Sequence, residues 1–201
     1  MALWRRSLQL RMKGTGPFGA TEGKGMDIVN FFEKVEGTWF SQRTTHFSPG
    51  QPSQTGQSIL QITRLVTSDS RVAALCQQFS VDPGQMIFGI CIQQEGKASL
   101  YGSSKATPPQ RTTVLMGLKS GPGESGQFLS QTQQESPITG QYSLENEVLT
   151  LTIATDEFHS EERLWFMNPN LRMRTNLLKR ADGFQMASFC SEIRRMEKPA
   201  S

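Results

Sequence analysis

The largest group of side chains that could bind a ligand or take part in catalysis flanks a predicted Asn-Pro-Asn turn at residues 168–170. Arg172 and Arg174 follow this turn two residues apart in an extended run, so both guanidinium groups project from one face of a strand. Two such groups can bind two carboxylates through paired hydrogen bonds. The pattern indicates either a site for a dicarboxylic molecule or a charged outer face, because charged strand residues are usually exposed.

The strand before the turn supplies an acid and an aromatic ring. Glu161 and Trp165 share one face of this strand, and Glu162 lies on the other. A carboxylate can hold or donate a proton, and an indole offers a surface on which a flat conjugated molecule can stack. Parity does not decide which face is interior, because Glu162 shares its face with the apolar Leu164 and Phe166.

Histidine and cysteine are too few and too scattered for a metal site or a disulfide framework. His46 and His159 lie in different regions, with no partner at the spacing of metal ligands. Cys76, Cys91 and Cys190 are odd in number and far apart, which is typical of a reducing compartment. We expect no metal site, and we expect Cys190 to be a core residue rather than a reactive thiol.

Length and charge exclude two further classes of protein. The chain of 201 residues suits one domain, and no run approaches the roughly 18 apolar residues of a membrane-spanning helix. The net charge is +3, but residues 1–25 alone carry +4. A nucleic-acid-binding domain would carry its positive charge on the folded part, which here is nearly neutral.

Three segments are predicted. Residues 1–25 are an Arg-rich, acid-poor extension, either a transit-peptide remnant or an expression-derived segment, and we exclude them from the fold. Residues 26–196 form the folded domain, and residues 197–201 are a flexible C-terminus.

The periodicity of the folded part predicts an all-β protein with an N-terminal helix. Asp27 can cap that helix, and a second helix is predicted over residues 69–78. About ten runs with period two follow one another between short turns, as in 149–153, and Asp182-Gly183 marks a hairpin before the last run. We predict a ten-stranded antiparallel up-and-down barrel, with a two-sheet sandwich as the alternative. The apolar positions of the first helix are Ile28, Phe31, Phe32 and Val35.

A Gly-Thr-Trp sequence at residues 37–39 lies where the first helix gives way to the first strand. It resembles the GxW signature of lipocalin-like barrels, in which an Arg of the last strand packs on the Trp. We expect Trp39 to plug one end of the barrel and Arg194 to pack against it. If Trp39 points inward, so does Arg43, and an inward guanidinium needs an anionic partner.

Three motifs, in this order along the chain, resemble the S-type (CpcS/CpeS) phycobiliprotein lyases. They are WFSQRTTH at residues 39–46, the run 162–174 with its Trp-Phe and PNLRMR, and GF followed by ASFCSEIR within 183–194. The resemblance extends from about Asp27 to Arg195. It implies a lipocalin-like barrel with no metal, nucleotide or tightly bound cofactor.

The resemblance also implies a function. Such lyases bind an open-chain tetrapyrrole, here phycoerythrobilin or phycocyanobilin, and promote thioether formation with a cysteine of an apo-phycobiliprotein subunit, expected to be a β subunit. A homodimer is compatible with the family, and the location would be the plastid stroma of an alga or the cytoplasm of a cyanobacterium. The alternatives are a passive carrier of a bilin or another small apolar acid, and an interaction module that binds no pigment.

Site roles follow from the same resemblance. Arg172 and Arg174, with Arg43 from the opposite wall, are expected to bind the two propionates of the bilin. Glu161 is our first choice for the carboxylate near the pyrrole nitrogens, and Glu162 is the alternative. Further expected contacts are Trp165 by stacking, Asn170 at the rim of the pocket, and Thr175; Ser188 and Glu192 are assigned structural roles.

Overall fold

The computed structural model describes residues 26–48, 50–99, 110–119 and 124–196. The predicted extension at residues 1–25 and the C-terminal residues 197–201 lie outside these ranges.

A closed antiparallel barrel forms most of the described chain. Each strand pairs with its neighbours in sequence, and the first strand closes the barrel against the last. This confirms the predicted ten-stranded barrel and rules out the sandwich. The strands are β1 (Gly37–Ser48), β2 (Gln54–Arg64), β3 (Met86–Ser99), β4 (Arg111–Leu118), β5 (Ser125–Thr132), β6 (Ile138–Glu145), β7 (Val148–Ala154), β8 (Phe158–Asn168), β9 (Leu171–Arg180) and β10 (Gln185–Arg194); the helices are α1 (Ile28–Val35) and α2 (Ser70–Phe79), with a 3-10 turn at Pro83–Gln85.

Helix α1 closes one end of the barrel. Its N-terminus is capped as predicted, since the Asn30 amide donates to Asp27 Oδ1 at 2.8 Å. The apolar face of the helix is buried in the barrel, where the Phe32 ring stacks on Phe88 with centroids 3.8 Å apart. We call this the closed end.

The Gly-Thr-Trp sequence seals the same end. The Trp39 side chain is fully buried, and Arg194 donates to the carbonyls of Lys34 and Glu36 at 2.6 Å each, at the C-terminus of α1. Gly37 has a φ of +123°, and a Cβ there would collide with the Arg194 guanidinium. A glycine is therefore required where α1 turns into β1.

Helix α2 packs on the outside of the barrel. Asp69 caps it, and its buried Leu75 and Cys76 join a second apolar cluster with Met116 and Leu129. The predicted second helix is thus confirmed. Residues 114–118 of β4 are apolar on both faces, because Leu115 joins the core inside the barrel and Met116 and Leu118 join the cluster under α2.

Candidate ligand site in the barrel

Strand register decides which side chains of β8 and β9 face the interior. Phe166 lies inside the barrel, with its ring centroid 6.1 Å from that of Trp39. Glu162 has the same parity and therefore faces inward too. Arg172 lies opposite Phe166, and Arg174 lies opposite Leu164, so both guanidinium groups also project inward.

The first of these arginines forms a buried ion pair at the closed end. Arg172 Nε lies 2.6 Å from Glu192 Oε2, and the side chains are 3% and 0% exposed. Ser41 Oγ donates to the other carboxylate oxygen at 3.1 Å. The Arg172 guanidinium also lies 4.1 Å from the centre of the Trp39 ring. This pair is sealed behind the plug.

Arg174 links that pair to the open part of the barrel. Its Nη2 lies 2.9 Å from Glu192 Oε1, and its Nη1 lies 3.3 Å from Glu162 Oε2. Nη2 is also 3.8 Å from Cys190 Sγ. An alternating row of charges therefore runs from Arg172 through Glu192 and Arg174 to Glu162, which is the outermost member and is 30% exposed.

The charge states follow from burial and from these neighbours. Burial raises the pKa of the Glu192 carboxyl, but Arg174 and Arg172 outweigh burial and hold that pKa below its ordinary value. Burial lowers the pKa of Arg172 to about 10, so it stays charged at neutral pH. Burial disfavours the charge on Arg174, but Glu162 and Glu192 outweigh burial and raise its pKa.

A polar cavity of about 560 Å³ lies away from the closed end. Its volume falls within the roughly 300–1,000 Å³ of small-molecule sites. Three arginines line it, together with a wall that consists largely of glutamine side chains. The lining residues are Ser41, Arg43, Gly56, Gln57, Ser58, Gln94, Gly96, Gln110, Arg111, Gln133, Gln134, Glu135 and Arg174.

Arg43 differs from the other two arginines of the cavity. It lies in one row with Cys190 and Arg174 across β1, β10 and β9. Among the residues that the structure describes, Arg43 has no ion-pair partner, whereas Arg174 pairs with two carboxylates and Arg111 pairs with Glu135. Arg43 therefore faces the cavity as expected, and none of the described carboxylates supplies the anionic partner that the sequence analysis required for it.

Three expected contacts lie on the wrong face of the wall. Glu161 points outward and forms an ion pair with Arg163 at 2.9 Å, in which the Glu161 side chain is 27% exposed and the Arg163 side chain 54%. Trp165 and Thr175 share this outer face, since Thr175 lies opposite Arg163 and Trp165 has the parity of Glu161. The preference for Glu161 over Glu162 is corrected for this reason, as are the expected pocket contacts of Trp165 and Thr175.

Two further expectations fail because the residues lie at the closed end. Arg172 is saturated by Glu192 and covered by the plug, and it is absent from the lining of the cavity. Asn170 lies at the β8–β9 turn, where its carbonyl accepts a hydrogen bond from the Arg194 amide at 2.9 Å. Neither residue shapes the rim of the cavity.

Arg111 and Glu135 were not predicted from the sequence as lining residues, whereas the structural role expected of Glu192 agrees with its place in the buried ion pair. Arg111 begins β4, and its parity with Leu115 could have placed it inward if the inner face of β4 had been known. Both faces of β4 are apolar from residue 114 onward, so that signal was ambiguous. Glu192 was assigned a structural role, but its position between two arginines could not be read from spacing.

Comparisons with known proteins agree on one family. The family model described as CpeS-like protein matches residues 27–195. A chromophore lyase CpcS/CpeS from Thermosynechococcus vestitus is 40% identical over 174 residues, which cover 85% of this chain and 93% of the relative. A phycocyanobilin lyase subunit CpcS from Picosynechococcus is 29% identical over 177 residues, covering 87% of this chain and 89% of the relative.

A solved structure agrees with this assignment. The S-type phycobiliprotein lyase CPES from Guillardia theta superimposes with a TM-score of 0.76 at 26% identity, covering 87% of this chain and 96% of that one. The family model spans residues 27–195, from the cap of α1 to the residue after β10, so the likeness is not confined to one motif. The chain belongs to the CpeS-like family, whose named relatives here are chromophore lyases.

Proposed function

We propose that this protein binds an open-chain bilin in the polar cavity of its barrel and promotes its attachment to a cysteine of an apo-phycobiliprotein subunit. The chain is a chromophore lyase by family, and the bilin, the acceptor subunit and the residue roles are our proposals. Phycoerythrobilin and phycocyanobilin are the candidate pigments, and a β subunit is the candidate acceptor.

The proposal rests mainly on the surroundings of Arg43. Arg43 lines a cavity of about 560 Å³ and has no ion-pair partner among the described residues. A bilin propionate would supply the missing anion through charge-assisted hydrogen bonds. Fixing one end of a flexible pigment in this way favours one conformer and one exposed face for reaction.

Glu162 is the proposed acid of the site. Its carboxylate faces the interior beside the cavity rather than in its lining, and it is held at 3.3 Å by Nη1 of the lining residue Arg174, while remaining 30% exposed. A carboxylate there can hydrogen bond to the pyrrole nitrogens and hold or donate the proton that keeps the conjugated system electrophilic. Glu192 is unsuited to this role because it is 0% exposed and already shared by two arginines.

The nucleophile is proposed to belong to the acceptor protein. Burial raises the pKa of the Cys190 thiol, which keeps it protonated at neutral pH, and the thiol form is a poor nucleophile. The new carbon–sulfur bond forms between the acceptor thiol and the A-ring side chain of the bilin. The proton that the thiol loses is transferred to the pigment, so the addition releases no other group.

Attachment in the presence and absence of this protein tests the proposal. Purified protein is incubated with phycoerythrobilin or phycocyanobilin and an apo-β subunit, and the product is followed by absorbance and by denaturing gels that retain covalent pigment. We expect faster formation of a single product than in the uncatalysed reaction. An identical rate and product spectrum with and without the protein would instead favour the passive carrier.

Glu162→Gln and Glu161→Gln form a matched pair that tests the acid. The two residues are adjacent on β8 but lie on opposite faces. We expect Glu162→Gln to change the absorption spectrum of the bound bilin, because the group that holds the chromophore proton is lost. Glu161→Gln should leave the spectrum unchanged, and equal spectra for both variants would remove Glu162 from the site.

A further inference from the structure

The cavity contains one ion pair that differs from the others in exposure. Arg111 Nη2 pairs with Glu135 Oε1, and the two side chains are 60% and 50% exposed. Both residues line the cavity, on the wall formed by β4 and the β5–β6 connection. The pairs of Arg174, by contrast, involve the fully buried Glu192 and the half-buried Glu162.

The backbone holds both partners firmly in place. The Gln133 amide donates to the Thr112 carbonyl at 2.8 Å, which ties the end of β5 to the start of β4. The Glu135 amide donates to the Thr132 carbonyl at 3.0 Å and closes a turn. The pair can therefore open by side-chain rotation alone, without any change in the backbone.

A dicarboxylic ligand needs two cations, and the cavity offers three unequal ones. Arg43 is unpaired among the described residues, and Arg174 already holds two carboxylates, one of them fully buried. Exposed ion pairs contribute little stability, so exchanging Glu135 for a ligand carboxylate costs little. After Arg43, Arg111 is therefore the cavity arginine that can most easily exchange its protein carboxylate for a carboxylate of the ligand.

The distance between the two cations is suitable for such a ligand. Strands β1 and β4 are three strand spacings apart along the wall, roughly 14 Å at about 4.8 Å each. The rows of the two residues are also offset by four positions along β3, roughly 13 Å at about 3.3 Å per residue, because Arg43 aligns through Gly56 with Ala98 and Arg111 lies opposite Gln94. Arginine side chains that converge into the cavity shorten this gap further. One molecule can therefore contact both guanidinium groups.

We propose that Arg111 is a further anion-binding residue of the cavity, and that a carboxylate of the bound pigment replaces Glu135 as its partner. This inference rests on the proposed function and extends it. It assigns the two propionates to Arg43 and Arg111, and it gives Arg174 the task of positioning Glu162.

Opposite effects of two variants test the exchange. The dissociation constant for phycocyanobilin is measured by absorbance titration for wild type, Arg111→Gln, Glu135→Gln and the double variant. We expect Arg111→Gln to weaken binding about fivefold, and Glu135→Gln to strengthen it about two- to fivefold because the competing carboxylate is gone. The double variant should lose the gain that Glu135→Gln gives alone.

Two controls separate the exchange from general effects. Arg163→Gln breaks a partly exposed Arg–Glu pair on the outer face, and it should leave the affinity unchanged. Phycocyanobilin dimethyl ester, which lacks free carboxylates, should bind wild type and Arg111→Gln equally.

The outcomes also separate this inference from the function on which it rests. Pigment binding that is unaffected by Arg111→Gln, or a gain from Glu135→Gln that persists in the double variant, would overturn the exchange alone. A wild-type protein that binds no pigment would overturn the proposed function and the exchange together.

Discussion

Arg172 and Arg43 both project into the barrel, but their surroundings at the two ends differ completely. At the closed end, the Arg172 side chain is 3% exposed, forms an ion pair with the fully buried Glu192 and lies beside the Trp39 ring. Away from the closed end, on the side of the polar cavity that we call the open end, Arg43 lines that cavity. It has no ion-pair partner among the described residues. One guanidinium is part of the structural core, and the other is available to a ligand.

The difference teaches that residue type and spacing do not distinguish a structural arginine from a ligand-binding one. Two buried opposite charges must satisfy each other, because desolvation makes either one costly alone. A partly exposed cation without a partner keeps its water and can exchange it for a ligand carboxylate. Removing a charge at the closed end should therefore reduce stability, and removing one at the open end should reduce binding.

The largest effect is expected from Glu192→Gln. This change leaves Arg172 buried without a counterion, and breaking a buried pair in this way costs about 3–5 kcal/mol. Urea unfolding at neutral pH measures the free energy of unfolding. A loss below about 1 kcal/mol would show that the closed end does not depend on the ion pair.

A smaller part of that stability should depend on pH. The pKa of Glu192 is lower in the folded protein than the ordinary 4.5, so between the two values the unfolded chain binds more protons. The contribution is therefore complete above about pH 4.5 and is lost as the pH falls through the folded value. Unfolding curves from pH 7 to pH 3 should fall more steeply for wild type than for Glu192→Gln; parallel curves would contradict this assignment.

At the open end, Arg43→Gln should weaken bilin binding about tenfold, in line with the loss of a charged hydrogen bond. The free energy of unfolding should change by no more than about 0.5 kcal/mol, since no contact at the plug is lost. Absorbance titration and urea unfolding measure the two quantities on the same sample. A large stability loss with unchanged affinity would make Arg43 a structural residue and abolish the contrast between the ends.

The smallest effect is expected from Glu161→Gln on the outer face. Its ion pair with Arg163 is partly exposed on the outer face, and surface pairs contribute about 0–1 kcal/mol. Stability and bilin affinity should both remain close to wild type. A loss comparable to that of Glu192→Gln would mean that the outer face contributes more to the fold than its exposure indicates.

The fold was accessible from the sequence because its signals are local. The spacing of Phe31, Phe32 and Val35 after Asp27 predicted α1, and alternation with short turns predicted the strands and their order. Trp39 could be placed at the plug because Gly37-Thr38-Trp39 resembles the GxW signature of lipocalin-like barrels and follows the first helix. These features depend on neighbours within a few residues along the chain.

The residues of the site could be predicted only in part from the sequence. The sequence brought Arg43, Arg174 and Glu162 forward as candidates, and the structure places all three on the inner face of the barrel. It could not choose between Glu161 and Glu162, because alternation defines two faces of a strand without saying which one is covered. The packing of Phe166 against Trp39 shows that the face of β8 that carries Glu162 is the interior one.

The partners of the charged groups that face the barrel interior were decided by tertiary structure alone. Glu192 lies 20 residues from Arg172 and 151 residues from Ser41 along the chain, and only the closure of β1 against β10 brings Ser41 to it. The contact of Arg111 with Glu135 likewise depends on how β4 pairs with β5. Composition and periodicity determine the strands, but the register between strands determines which charges meet and which remain free for a ligand.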